Sequence, residues 1–155
     1  MSLVQPSSRR DGFPDAPDVL FVYGTLQFDA VLKGLLGRVP ASTPTSAPEW
    51  RAAALEGRVY PGLVAAPGAT AAGLLLTDLT NQEWRLLDAF EDDQYDLREV
   101  SLTTGKRGLA YIWPDVEVRP ENWDSAEFKE LHLPAYAARC ARIGPRLAAG
   151  EAKGE

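Results

Sequence analysis

Chemically versatile side chains are scarce in this sequence of 155 residues, which holds one cysteine, one histidine and one methionine. With Cys140 alone no intrachain disulfide can form, and a lone thiol suits a reducing compartment. With His132 alone, a Ser-His-Asp triad or a histidine-based zinc site would rest on a single side chain. His132 sits between Leu131 and Leu133 and reads as structural. Cys140 has no histidine near it in sequence, lies in a predicted helix and reads as an inert thiol. No Gly-rich loop ending in Lys-Ser/Thr is present to cradle a phosphate. Cations are also in deficit, 16 Lys and Arg against 22 Asp and Glu, a net charge of −6. Phosphate backbones attract clustered cations, so nucleic acid is not an expected partner. Gly105-Lys106-Arg107-Gly108 is basic but reads as a solvated hairpin tip. Long apolar runs are missing as well. Ala71 to Leu76 is interrupted by Gly73 and is far too short to cross a bilayer. The stretch from Met1 to Pro17 has no apolar segment of signal-peptide length. A cytoplasmic location without a membrane partner is therefore the default expectation. No internal repeat is visible.

What is present is ordinary globular composition, 45% hydrophobic and 25% charged. The length fits one domain, and such a chain buries enough surface to need no metal or disulfide staple. Met1 to Pro17 holds three prolines and three serines and reads as a loose tail, leaving residues 18–148 as the domain.

Val19-Leu-Phe-Val-Tyr23 is a short, β-rich apolar run that reads as a buried strand. Gly24-Thr25 turns the chain. Phe28, Val31, Leu32, Leu35 and Leu36 then recur at helical spacing, with Gly37 as the stop. Pro40 to Pro48 reads as a loop of Ser, Thr and Pro. Four short strand-like pieces follow, Arg51–Leu55, Arg58–Tyr60, Leu63–Ala65 and Thr70–Leu76, separated by Gly57, Pro61, Gly62, Pro67 and Gly68. Thr80-Asn-Gln-Glu83 is a capping box, and Trp84, Leu87 and Phe90 continue its helix to about Glu91. Val100 to Trp113 reads as a hairpin. Asp124-Ser-Ala-Glu127 is a second capping box, ahead of a helical face that Pro134 kinks or restarts. The expected class is α+β, a small mixed β-barrel with flanking helices and a C-terminal helical extension.

Two places have chemical potential. Tyr23-Gly24-Thr25-Leu26 follows a buried strand directly, and such a turn exposes backbone N–H groups that can hold a carboxylate or an oxyanion. Glu91 closes an apolar helix face beside Phe90. Burial there would lift its pKa above the ordinary value of about 4.3 and suit it to proton transfer. Asp92 and Asp93 read as a solvated acidic loop.

Together Phe21-Val-Tyr-Gly-Thr-Leu26 and Leu86-Leu-Asp-Ala-Phe-Glu91, followed by Tyr95 and Arg98-Glu-Val100, resemble the γ-glutamylcyclotransferase-like family. Tyr60-Pro-Gly and Ala72-Gly73-Leu74 fit the same pattern. Ala110-Tyr-Ile-Trp113 and Trp123 to His132 are similar to its avirulence-induced-gene-like branch, known from plants. The resemblance implies a small mixed barrel around a cavity, with Glu91 as the catalytic residue. It implies substrate binding by Tyr23, Gly24, Thr25 and Leu26, extending to Gln27 and Phe28, and by Tyr95 and Arg98. One departure is Leu97, where related chains often carry arginine, and this bears on substrate choice. The implied reaction cyclises a small γ-glutamyl compound to 5-oxoproline and a free amine or amino acid, with neither metal nor cofactor. The contrasting reading is a non-catalytic ligand-binding or signalling module on the same barrel. Strand alternation puts residues three apart on opposite faces. Tyr95 and Arg98 can therefore both line the cavity only if a turn or bulge intervenes, and Tyr95 is the expected pocket residue.

Overall fold

Each chain reversal has a local cause. The computed structural model describes residues 8–151. Leu20–Val22 (β1) is buried at all three positions, as befits a strand with both faces covered. A 3-10 turn over Thr25–Gln27 leads into Asp29–Leu36 (α1). This helix buries Val31, Leu32 and Leu35 and stops at Gly37, whose φ of 78° is the left-handed cap conformation. Ser42–Leu55 (β2) and Gly62–Leu76 (β3) pair antiparallel as one long hairpin. Asn81–Phe90 (α2) begins at the predicted capping box. There Thr80 Oγ1 accepts the Glu83 amide at 3.1 Å and Glu83 Oε1 accepts the Thr80 amide at 3.0 Å. Asp96–Ser101 (β4) and Arg107–Ile112 (β5) are the predicted hairpin. Val118–Asn122 (β6), Ser125–Leu131 (α3) and Leu133–Ala148 (α4) complete the chain. Asp124 caps α3 by accepting the Glu127 amide at 3.0 Å. Pro134 falls in the first turn of α4, where a missing N–H has no consequence, so it restarts the helix.

The six strands form one mixed sheet in the order β4-β5-β1-β3-β2-β6. β1 runs antiparallel to the end of β3, with Leu20 opposite Leu76, and parallel to β5, with Leu20 opposite Leu109. Yet Leu63, at the start of β3, meets Ile112 of β5 in the parallel sense. A straight β3 cannot do both, so the hairpin folds over. Its register shifts between Pro48 and Trp50, where Glu49 and Gly68 have φ of 73° and 83° and the Gly68 amide reaches Glu49 Oε2 at 3.1 Å. The sheet thereby curls into a half-barrel with four helices around it, which is the predicted α+β class. One link joins its far sides: the Thr103 amide and hydroxyl donate to the Ser46 carbonyl at 2.9 and 3.0 Å.

Trp84, Leu87 and Phe90 of α2 are buried in the main core, at about 1.5–3 kcal/mol each for the aliphatic and Phe side chains. α1 and α4 cross with their backbones in contact. A Cβ on Gly144 would lie 2.5 Å from the Gly34 carbonyl oxygen, so a side chain there would force the helices apart.

Three expectations need correction. Pro40–Pro48 is not a loop, because β2 starts at Ser42. Among the described residues its first half pairs with no strand on the side away from β3, since β6 pairs only Ala53 and Leu55. An edge tolerates prolines that an interior strand does not. Of the four short pieces, Arg51–Leu55 lies in β2 and Leu63–Ala65 and Thr70–Leu76 lie in β3, which bends at Pro67 and Gly68, whereas Arg58–Tyr60 is not a strand but part of the connection between the two. Of the supposed loose tail, residues 1–7 lie outside the described residues. Ser8 is buried and Arg9–Gly12 forms a 3-10 turn docked on α2.

Arg38, just beyond the α1 cap, grips Glu83 through two bonds of 2.7 Å and so ties the end of α1 to the start of α2. The pair holds the Glu83 carboxyl below its ordinary value, chiefly through those bonds. A depressed carboxylate pKa stabilises the fold above the unfolded pKa, and the effect is lost as pH falls through the folded one. Glu83→Gln is therefore expected to lower Tm at pH 7. The gap to the parent should close below about pH 4, as followed by thermal unfolding across pH.

Candidate active site

β1 ends at Val22 while β3 and β5 close over it through the Leu63–Ile112 pair. The chain leaving β1 must turn beneath that closure, and the turn Tyr23–Leu26 forms one wall of a small cavity of about 30 Å³. Pro61, Glu91, Tyr95 and Tyr111 face it from the other segments. Gly24 is required by this approach, since a Cβ there would sit 2.7 Å from Pro61 Cγ.

The phenols of the wall are anchored. The Tyr23 hydroxyl donates to the Tyr111 carbonyl, and the Tyr95 hydroxyl donates to the Pro61 carbonyl. The Tyr111 hydroxyl donates to Asp88 Oδ1. Burial pushes the Tyr23, Tyr95 and Tyr111 pKa values up, and in each the negative charge of Glu91 pushes the same way. These side chains therefore stay neutral and keep their protons. The Tyr95 ring packs edge-on to Trp113 with centroids 4.9 Å apart, which fixes its position.

Glu91 is the C-cap residue of α2 and is half-buried. It lines the cavity on one side and an outer groove on the other, where Tyr60, Asp92, Tyr136 and Arg139 also lie. Tyr60 donates to Asp92 Oδ2 at 2.7 Å, and burial with that carboxylate pushes its own pKa up to about 12. Tyr136 comes from α4, within 3.3 Å of the Thr25 hydroxyl, so the C-terminal helix closes the groove beside the turn.

The structure brings Tyr23, Gly24, Thr25, Leu26, Tyr95 and Glu91 to one cavity. It does not bring Gln27, Phe28 or Arg98 there. After Leu26 the 3-10 turn carries the chain away; Gln27 Nε2 donates back to the Gly24 carbonyl at 3.3 Å and Phe28 packs on Phe128 at 5.4 Å. Arg98 lies on the outer face of β4 with its side chain 66% exposed, 2.6 Å from Asp96. Leu97, on the opposite face, is buried in the core. Asp92 also departs from expectation, since Tyr60 and the Gln94 amide bind its carboxylate and Arg58 Nε lies 3.9 Å away.

Residues the sequence reading missed include Tyr111, Asp88 and Tyr136. Tyr111 carried a signal, as the one hydroxyl in the apolar run Leu109–Trp113. Elsewhere, His132 packs beside Phe128 at the junction of α3 and α4. The buried Cys140 thiol is pushed up to about 12. Among the described residues, no three His, Cys, Asp or Glu side chains are grouped to hold a metal, and no helix is long and apolar enough to cross a membrane.

Tyr95→Phe leaves the buried Pro61 carbonyl without its donor. It is expected to cost about 1–3 kcal/mol. Arg98→Ala should change stability by less than about 0.5 kcal/mol. Urea unfolding of both variants beside the parent checks the pair.

A family model described as gamma-glutamyl cyclotransferase, AIG2-like, matches residues 20–130. AIG2-like protein D of Arabidopsis thaliana is 32% identical over 128 residues, 76% of this chain and 82% of that protein. AIG2-like protein C of the same plant is 35% identical over 119 residues, 72% and 69% of the two chains. A solution structure from Arabidopsis thaliana superposes with a TM-score of 0.59 at 26% identity, covering 83% of this chain and 91% of the other. A second, at 20% identity and a TM-score of 0.60 over 81% and 80% of the two chains, speaks for the fold alone. With a family match spanning β1 to α3 and relatives similar across most of their length, this chain belongs to the γ-glutamyl cyclotransferase, AIG2-like family.

Proposed function

We propose that this protein is a γ-glutamyl cyclotransferase that acts on a small γ-glutamyl compound, with Glu91 as base and then acid. The observation that carries the reading is the place of Glu91, a carboxylate that lines both the cavity under the Tyr23–Leu26 turn and the groove beside Tyr60 and Tyr136. The reaction needs one proton-transfer group between a held part and a departing part.

In the substrate, the α-amine can reach its own γ-carbonyl and close a five-membered ring. A bent pose in the cavity gives this intramolecular attack a large effective-concentration advantage. Glu91 removes a proton from the ammonium, and the freed nitrogen lone pair bonds to the γ-carbonyl carbon. As the tetrahedral centre collapses, Glu91 returns that proton to the leaving nitrogen and the C–N bond breaks; Glu91 then takes the second proton from the ring nitrogen and passes it to the freed amine, which departs as an ammonium. The products are 5-oxoproline and a free amine, and neither metal nor cofactor enters the balance.

The cavity divides its polar groups suitably. The Tyr23 and Tyr95 hydroxyl protons are already committed to protein carbonyls, so neither phenol competes with the substrate ammonium as a proton donor to Glu91. The 3-10 turn opening at Thr25 presents N–H groups with no acceptor inside the turn, which suit a carboxylate or the developing oxyanion. The leaving amine then occupies the outer groove near Tyr60 and Tyr136.

The test is 5-oxoproline release from a panel of γ-glutamyl amino acids and γ-glutamyl amines, with binding measured in parallel. Glu91→Gln is expected to keep its Tm and to lose turnover by at least about 10²–10⁴-fold. Near-normal release by that variant would remove Glu91 from the mechanism. Binding by the parent without any release would favour the non-catalytic ligand-binding module.

A further inference from the structure

The N-terminal segment reaches the candidate site from behind. The Arg9 amide donates to Asp88 Oδ2. Its guanidinium donates to two backbone carbonyls, from Nη1 to Tyr95 at 3.2 Å and from Nη2 to Asp88 at 3.3 Å. The same group lies over the Tyr111 ring, 5.4 Å from its centroid, and its Nε is 4.0 Å from Asp88 Oδ1.

The two carbonyls bracket a single stretch of chain. From Asp88 the last turn of α2 runs to Glu91, a tight turn closed by the Tyr95 amide on the Asp92 carbonyl at 3.0 Å follows, and β4 begins at Asp96. We propose that Arg9 is a positioning residue, whose guanidinium staples both ends of the Asp88–Tyr95 segment and so fixes where Glu91 sits between cavity and groove. The inference rests on the catalytic reading of Glu91 given above.

Arginine suits the task because its planar fork offers donors at a fixed spacing, whereas a lysine ammonium is a single point. Asp88 extends the staple, since its carboxylate takes both the Arg9 amide and the Tyr111 hydroxyl and so links the strap to the cavity wall. Arg9 lies outside residues 20–130, the part of the chain that the family model matches.

The experiment compares the full chain with Arg9→Ala and Arg9→Lys. One readout is amide hydrogen exchange along residues 91–95. The other is kcat and KM for 5-oxoproline release from γ-glutamyl-L-alanine and a γ-glutamyl alkylamine. In Arg9→Ala, exchange at 91–95 should accelerate while amides of α1 and β3 keep their rates. On whichever probe turns over, kcat should fall about 10-fold or more with KM within about twofold, because displacement of a catalytic group costs rate. Arg9→Lys should recover only part of the loss, and millimolar guanidinium added to Arg9→Ala should recover part as well. Unchanged exchange at 91–95, uniform acceleration over the whole chain, or full activity in Arg9→Ala would overturn the staple. A parent protein with no turnover on either probe or on the wider panel would overturn the catalytic reading instead. The exchange data would then decide the staple alone, with local acceleration upholding it and none removing it.

Discussion

β3 has to serve two strands that run in the same direction. Its end pairs antiparallel with β1 and its start meets β5 in parallel, and β1 and β5 are parallel to each other. Only a fold in β3 reconciles these pairings. That fold brings Pro61 and Gly62 over the end of β1, where Gly62 packs so tightly on Trp113 that a Cβ would lie 2.5 Å from the Trp113 Cβ. Pro61 then accepts the Tyr95 hydroxyl and crowds Gly24. The cavity is what remains under the folded hairpin once these contacts are made. Its shape follows from the pairing of the strands more than from any one lining residue.

The resulting site concentrates charge in one place. Neutral, buried phenols surround one carboxylate, and that carboxylate helps to keep them neutral by raising their pKa values. A low-dielectric wall of this kind strengthens whatever interaction Glu91 makes with a cationic group in the cavity. Asp92, one residue further on, is held by Tyr60 and by Arg58 and faces the groove. Adjacent acids thus have separate settings because the chain turns between them and β4.

Local signals in the sequence are legible where they act locally. The Thr80–Glu83 capping box, the Gly37 stop and the restart at Pro134 all depend on neighbours within a few residues. The same holds for the apolar face of α2 that ends at Glu91. The run of prolines from 40 to 48 misled because their tolerance depends on β2 having no partner on one side, which is a property of the whole sheet. Arg98 misled because a motif places a residue in sequence but not on a face. Leu97 buried and Arg98 exposed follow from plain alternation in β4. Arg9 gave no signal, since its partners are Asp88 and Tyr95, far along the chain.

The open flank of β2 has a consequence for self-association. A proline has no N–H, so Pro44 and Pro48 must occupy positions that do not donate to β3, opposite Leu74 and Thr70. Even spacing places Ser46 in the same class, and its carbonyl already accepts from Thr103. Of three successive outward rungs, two lack a donor and the third has its acceptor engaged. A stray strand approaching this flank would find a broken ladder, so the edge resists templated aggregation without a covering helix.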